Sequence, residues 1–202
     1  MIPAQSYPVR MELFIQSSTA HDVYFIDRGM VKLTCVGPAG REFIIGLRGA
    51  GRTLGASSAI LQRPYPVTAV TVTPCHLFRV PAATFLKLLE TSAQFSWYVQ
   101  QEQSRDVYDH LSTLTSLECL TTRQRLEQFL WNFISVTEIN DPQQELRLQL
   151  PLKHWEIAEL ISVTPQHLSK LMRQIEQDGI IHREKGWLIV AKPDSLYHPT
   201  SF

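Results

Sequence analysis

Between Thr164 and Asp178 the sequence sets Gln166, Ser169, Lys170, Arg173 and Gln177 at three- and four-residue steps, the spacing that gathers side chains on one helix face. That face offers amides, a hydroxyl and cations, and no carboxylate. Glutamine can bond adenine at two points, lysine can donate to guanine, and arginine or serine can hold phosphate. The chemistry these groups share is recognition of double-stranded DNA, with no covalent bond made or broken. The same pattern also suits an amphipathic helix pair that packs on its own domain or on a protein partner.

A reading face works only if its helix is held outward. Leu168, Leu171, Met172 and Ile175 form the opposite, apolar stripe of the same helix. Thr164 is placed to accept from the first unpaired backbone N–H groups, Pro165 stands where a missing N–H costs nothing, and Gly179 ends the helix. Upstream, Trp155, Ile157, Ala158, Leu160 and Ile161 predict a shorter helix, with Ala158 at the close contact and a break at Ser162-Val163-Thr164. Downstream, Ile180-Ile181 and Trp187 to Val190 flank Glu184-Lys185-Gly186 as a β-hairpin. Together they predict a winged helix-turn-helix. Gln166, Ser169 and Lys170 are then expected on bases, and Thr164, Arg173, Arg183 and Lys185 on phosphate.

The 202 residues carry 19 Lys or Arg against 19 Asp or Glu, a formal net charge of zero. Between Pro151 and Pro193 the count is six basic against five acidic residues. Bulk positive charge therefore cannot drive DNA binding, and the placement of individual charges must. No apolar run approaches the ~20 residues of a membrane span, and the start of the chain lacks the basic-then-apolar order of a secretory signal, so a cytoplasmic protein without membrane contact is expected. Cys35, Cys75 and Cys119 are odd in number, far apart and without a CxxC pair, which reads as buried free thiols, with a redox sensor as the alternative and no metal site or cofactor. No nucleophile-and-base set or paired carboxylates stand out, so no enzyme is expected.

From Met11 to Pro81 short β-rich segments alternate with turns: Val23 to Ile26, Val31 to Val36, Glu42 to Leu47, Val67 to Val72 and Cys75 to Val80. They predict a β-barrel or jelly roll, and with the helices that follow, an α+β chain. Pro81 to Leu89 reads as a short helix and Ser92 to Leu120 as a long one. The long helix carries a stripe of Trp97, Ser104, Val107, Leu111, Leu114 and Leu117, with Tyr98 and Tyr108 at its margins. That stripe needs a partner, either a second copy or the chain's own barrel. The segment RQRLEQFLWNFISV, capped by Thr121 or Thr122, predicts a further helix, then a turn at Asn140 to Gln144 and a strand through Leu146, Leu148 and Leu150.

The run VYFIDRGMVKLTCVGPAGREFIIGLRGAGRTLGASSAIL resembles the cyclic-nucleotide-binding fold of the Crp/Fnr regulators, and the order of elements continues the likeness to the winged module. The resemblance implies a barrel sensor domain over 1–91, a dimerisation helix over 92–120 and a DNA-binding domain over 121–202, with a hinge near 118–122. It implies a homodimer on a nearly palindromic operator, with RNA polymerase and a small-molecule effector of unidentified chemistry as further partners. Family members often present Arg or Glu where Pro165, Gln166 and Lys170 stand, which implies a different operator. Neither the cysteine cluster of the oxygen sensors nor a convincing haem ligand is present, since Cys75-His76 fits an ordinary strand.

At the ligand site the likeness fails. Members that bind cyclic AMP present Gly-Glu to the ribose, Arg-Ser to the phosphate and a helix Thr-Ser to the adenine. Here those places hold Gly55-Ala56, Val67-Thr68 and His110-Leu111, with Arg63 nearby and followed by Pro64 and Pro66. A phosphate entering this barrel would leave water without a charge-assisted partner. The expectation is a barrel filled by its own side chains with Arg63 in solvent. A rebuilt nucleotide site, a pocket recut for an uncharged ligand and a sensor whose winged domain meets a protein are the alternatives.

Overall fold

The computed structural model describes residues 3–136 and 146–197, and the chain divides into two compact units, Met1–Leu111 and Ser112–Phe202. The first is built on two four-stranded antiparallel sheets. One has β1 (Gln5–Tyr7), β8 (Cys75–Pro81), β3 (Asp22–Arg28) and β6 (Thr53–Leu54) in that order; the other has β2 (Glu12–Phe14), β7 (Thr68–Thr71), β4 (Val31–Val36) and β5 (Glu42–Arg48). The five expected strands are present. The structure adds β1, β2 and β6, each of two or three residues and too short for a readable alternation.

The inner faces of both sheets close on one core that includes Tyr7, Phe14, Tyr24, Val31, Leu33, Tyr65 and Leu77. Phe14 and Tyr65 stack at 3.9 Å, and the Tyr24 hydroxyl donates to the Leu13 carbonyl at 3.1 Å. Burial pushes the Tyr24 phenol up to about 12, so it keeps its proton. Gly29, with φ +97, makes the turn from β3 to β4; a Cβ there would lie 2.6 Å from the Pro74 carbonyl oxygen. Gly55, with φ +81, opens α1 (Ala56–Leu61), and its missing Cβ leaves room for the Tyr65 ring.

After β8 come α2 (Ala82–Thr91) and α3 (Ala93–Cys119), within a residue or two of expectation. Phe25 of β3, Phe85 of α2, and Phe95 and Tyr98 of α3 pack ring against ring and fix the start of the long helix. Trp97, Val107, Tyr108, Leu111, Leu114 and Leu117 are all exposed, Leu111 by 58% and Leu114 by 61%, and within the first unit the barrel leaves Trp97, Val107, Tyr108 and Leu111 uncovered.

In the second unit, α4 (Thr122–Val136) is capped as expected: Gln124 N–H donates to the Thr121 hydroxyl, and Thr121 N–H donates to the Gln124 side chain at 3.0 Å. Leu126, Leu130, Phe133 and Ile134 are its buried side, whereas Phe129 is only half-buried. The expected turn at Asn140 to Gln144 lies outside the described residues. The strand β9 (Leu146–Leu148) stops short of Leu150, where Pro151 has no N–H to continue a ladder. It pairs with β11 (Trp187–Val190), which pairs with β10 (Ile181–Glu184). Between them in sequence lie α5 (His154–Leu160) and α6 (Pro165–Gln177).

The cysteines depart from expectation in one respect. Cys75 is buried, and burial pushes its thiol up, but Cys119 ends α3 in solvent and Cys35 is half-buried. A thiol-specific reagent at pH 8 is expected to modify Cys119 first and Cys75 only as the barrel unfolds. Equal rates at the two in the folded protein would contradict this placement.

Candidate nucleic-acid interface and barrel cavity

The α5–α6 pair is assembled from local bonds. Val163 N–H donates to the Ala158 carbonyl at 2.9 Å, and Ser162 takes a left-handed φ of 55° in the turn. Thr164 caps α6 by accepting from His167 N–H at 3.2 Å, with Pro165 next. Leu168, Leu171, Met172 and Ile175 are buried, as are Ile157, Ala158 and Ile161. Trp155 is 45% exposed on the first turn of α5, where the core side of the turn is taken by Glu156, whose carboxylate accepts from Lys153 N–H at 2.7 Å.

Opposite the buried stripe, Gln166, Lys170, Arg173 and Gln177 are exposed and Ser169 is half-buried. The Ser169 hydroxyl donates to the Pro165 carbonyl at 3.1 Å and lies 3.5 Å from His154 Nε2. His154 thereby joins the face, a neighbour that sequence spacing could not reveal across the turn. Both ends of α6 are tied to the start of α4. Thr122 Oγ1 is 3.0 Å from His167 Nε2, and Arg123 Nη1 is 2.6 Å from Asp178 Oδ2. The hydrogen bonds that Arg123 donates to Glu127 and then to Asp178 raise its guanidinium above the ordinary value.

The hairpin tip has Lys185 at φ 48° and Gly186 at φ 85°, the paired left-handed residues of a tight β-turn. Lys185 is exposed there. Arg183 is exposed too, but its Nε stands 3.1 Å from Glu176 Oε1, so its charge is already shared. These pairings resolve the near-neutral composition of the module. Glu156 serves a helix start, Glu176 faces Arg183, Asp178 faces Arg123 and Glu184 is 3.8 Å from Arg147. Among the described residues, Lys170, Arg173 and Lys185, like Lys153 and Lys192, make no ion pair, so α6 and the hairpin tip both present uncompensated positive charge.

The first unit holds a cavity of about 160 Å³ beside α1 and α3. Of the expected ligand residues, Gly55, Ala56, Val67 and His110 line it. Arg63 is exposed, the Thr68 hydroxyl accepts from Gln16 N–H at 3.0 Å, and Leu111 faces solvent; none of the three lines the cavity.

The cavity wall also carries Arg48 and Asp106, which sequence reading passed over. Arg48 Nε is 3.1 Å from Asp106 Oδ1, and its Nη2 is 3.4 Å from His110 Nε2. Arg52 reaches Asp106 at 2.5 Å, Asp109 at 2.8 Å and Glu102 at 3.3 Å. Glu102 is only 1% exposed and accepts from Thr53 N–H at 2.8 Å. Burial pulls the Arg52 guanidinium down, and the three carboxylates more than offset it, leaving it raised. Two arginines of the barrel thus grip one acidic face of α3, at spacing i, i+4, i+7.

With this geometry in view, residues 4–92 match the family described as the cyclic nucleotide-binding domain, and residues 124–198 match the Crp-like helix-turn-helix domain. The chain is similar to the cAMP-activated global transcriptional regulator CRP of Haemophilus influenzae, 19% identical over 186 residues, covering 91% of this chain and 82% of the relative. It is also similar to the global nitrogen regulator of Synechocystis sp., 28% identical over 192 residues, with the same coverage. Among solved structures, FixK2 from Bradyrhizobium japonicum superposes with a TM-score of 0.81 at 17% identity, covering 96% of this chain and 94% of that one.

Proposed function

The chain belongs to the Crp/Fnr family of transcription regulators, and we propose that two copies, paired along α3, read a double-stranded DNA site of dyad symmetry. The outer face of α6 carries this reading: Gln166, Ser169, Lys170 and Arg173 share one side of a capped helix whose other side is core, and among the described residues its cations make no ion pair. Pairing on α3 is supported by the exposed stripe, which an identical stripe would cover symmetrically. Each α6 then enters a major groove, with half-sites one turn or ~10 bp apart.

In this arrangement the barrel of 1–91 senses, the helix of 92–120 pairs the subunits, and 121–202 reads DNA in the cytoplasm, where RNA polymerase is the further partner. Gln166, Ser169 and Lys170 meet bases, while Thr164, Arg173 and Lys185 meet phosphate; Arg183 contributes less, being paired with Glu176. No bond is made or broken in this role. The relative's name ties that protein to cyclic AMP, but here the usual cyclic-AMP grip is absent. Gly55-Ala56 and Val67-Thr68 supply no charge, and Arg48, the guanidinium on the cavity wall, is engaged by Asp106.

Gel retardation tests the reading. Lys170→Ala is expected to weaken binding to the specific site by about 1 to 3 kcal/mol. Arg173→Ala is expected to weaken specific and non-specific DNA alike and to reduce the salt slope by about 1. Equal, sequence-independent losses from both would show the roles to be misassigned. Absence of any salt-sensitive, sequence-selective retardation would favour a protein partner for the winged domain.

A further inference from the structure

We propose that each half-site presents an adenine to Gln166 and, one or two base pairs away, a guanine to Lys170, with Ser169 offering hydroxyl lone pairs between them. The inference rests on the DNA-reading role of α6 and names the sequence it selects. Pro165 begins the helix with neither an N–H nor a polar side chain, so direct reading starts at Gln166. Four residues separate Gln166 from Lys170, about 6 Å of helix rise. At about 3.4 Å per base pair, that span covers one to two steps of the duplex.

The chemistry of each side chain then narrows its base. The Gln166 amide carries a donor and an acceptor, which match adenine N6 and N7 together. The Lys170 ammonium only donates, and guanine O6 and N7 give it two adjacent acceptors, whereas adenine N6 and cytosine N4 would meet it with a donor. Lys170 is exposed and, among the described residues, has no carboxylate to turn it away. The Ser169 hydroxyl donates to the Pro165 carbonyl in this arrangement. Its remaining lone pairs suit an amino group, as on adenine or cytosine.

The test is selection of bound duplexes from random DNA with the full-length protein, Gln166→Ala and Lys170→Ala, followed by duplexes carrying 7-deazaguanine at the assigned guanine. The wild type is expected to enrich a dyad motif. Lys170→Ala should lose discrimination at one guanine per half-site by about 5- to 150-fold, and Gln166→Ala at one adenine by a similar factor, with other positions retained. The 7-deazaguanine duplex should weaken the wild type and leave Lys170→Ala unaffected. If Lys170→Ala keeps the full motif and binds all sequences more weakly, Lys170 is a phosphate contact and the inference fails while the DNA-reading role stands. If the wild type enriches no motif, that role fails and the inference with it.

Discussion

Replacing Leu111 and Leu114 together with aspartate should leave single chains in solution and lower affinity for the selected DNA site by about 100-fold or more. Both side chains stand in the middle of the α3 stripe, 58% and 61% exposed, with Val107, Tyr108 and Leu117 beside them. A symmetric pair would bury each twice, at about 1.5 to 3 kcal/mol per fully covered leucine. Putting four carboxylates into that seam reverses the sign. The Ser104 hydroxyl donates to the Gln100 carbonyl at 2.8 Å, so the polar interruption can be buried at low cost, although it adds little hold toward the N-terminal half. Sedimentation equilibrium and gel retardation report the two effects, and an unchanged mass would exclude α3 as the seam.

The second large effect is expected at Arg52. Arg52→Ala would leave Glu102 buried on the hydrogen bonds of Thr53 without its cation, and would release Asp106 and Asp109 from the barrel. Breaking a buried pair in this way costs about 3 to 5 kcal/mol, a large share of the roughly 5 to 15 kcal/mol that holds a domain together. The melting temperature should fall by roughly 6 to 20 °C. Adding Glu102→Gln should recover part of the loss by removing the uncompensated charge. The contrast is Arg28→Ala at the Arg28–Asp27 pair, which lies in solvent with side chains 82% and 44% exposed, where a change below about 1 kcal/mol is expected. Equal effects at Arg52 and Arg28 would show that the cluster does not hold α3 to the barrel.

These two predictions differ in how far the sequence alone leads to them. The α3 stripe was legible because helical periodicity is local, and the exposure of its apolar residues is what supports the proposed pairing with a second copy. The α6 face was legible for the same reason, since Thr164, Pro165 and the buried leucines fix its orientation without distant partners. Glu102, Asp106 and Asp109 carry equally regular spacing, yet acidic residues on a long helix read as a solvated face until Arg48 and Arg52 are brought to them by the barrel. Arg183 looked free because its partner Glu176 lies on another element. The apolar spacing of α5 gives no sign that the buried place in its first turn belongs to Glu156 while Trp155 is exposed. The strands β1, β2 and β6 owe their existence to pairing with β8, β7 and β3, and no propensity in two or three residues could announce it.

The pairing of α3 and the reading role of α6 meet in one quantity, the mass of the complex formed on a duplex selected from random DNA. Two chains on one duplex, bound to a dyad motif with half-sites about one turn apart, is the result expected. A discrete complex holding one chain, or no discrete complex at any protein concentration, would contradict the account.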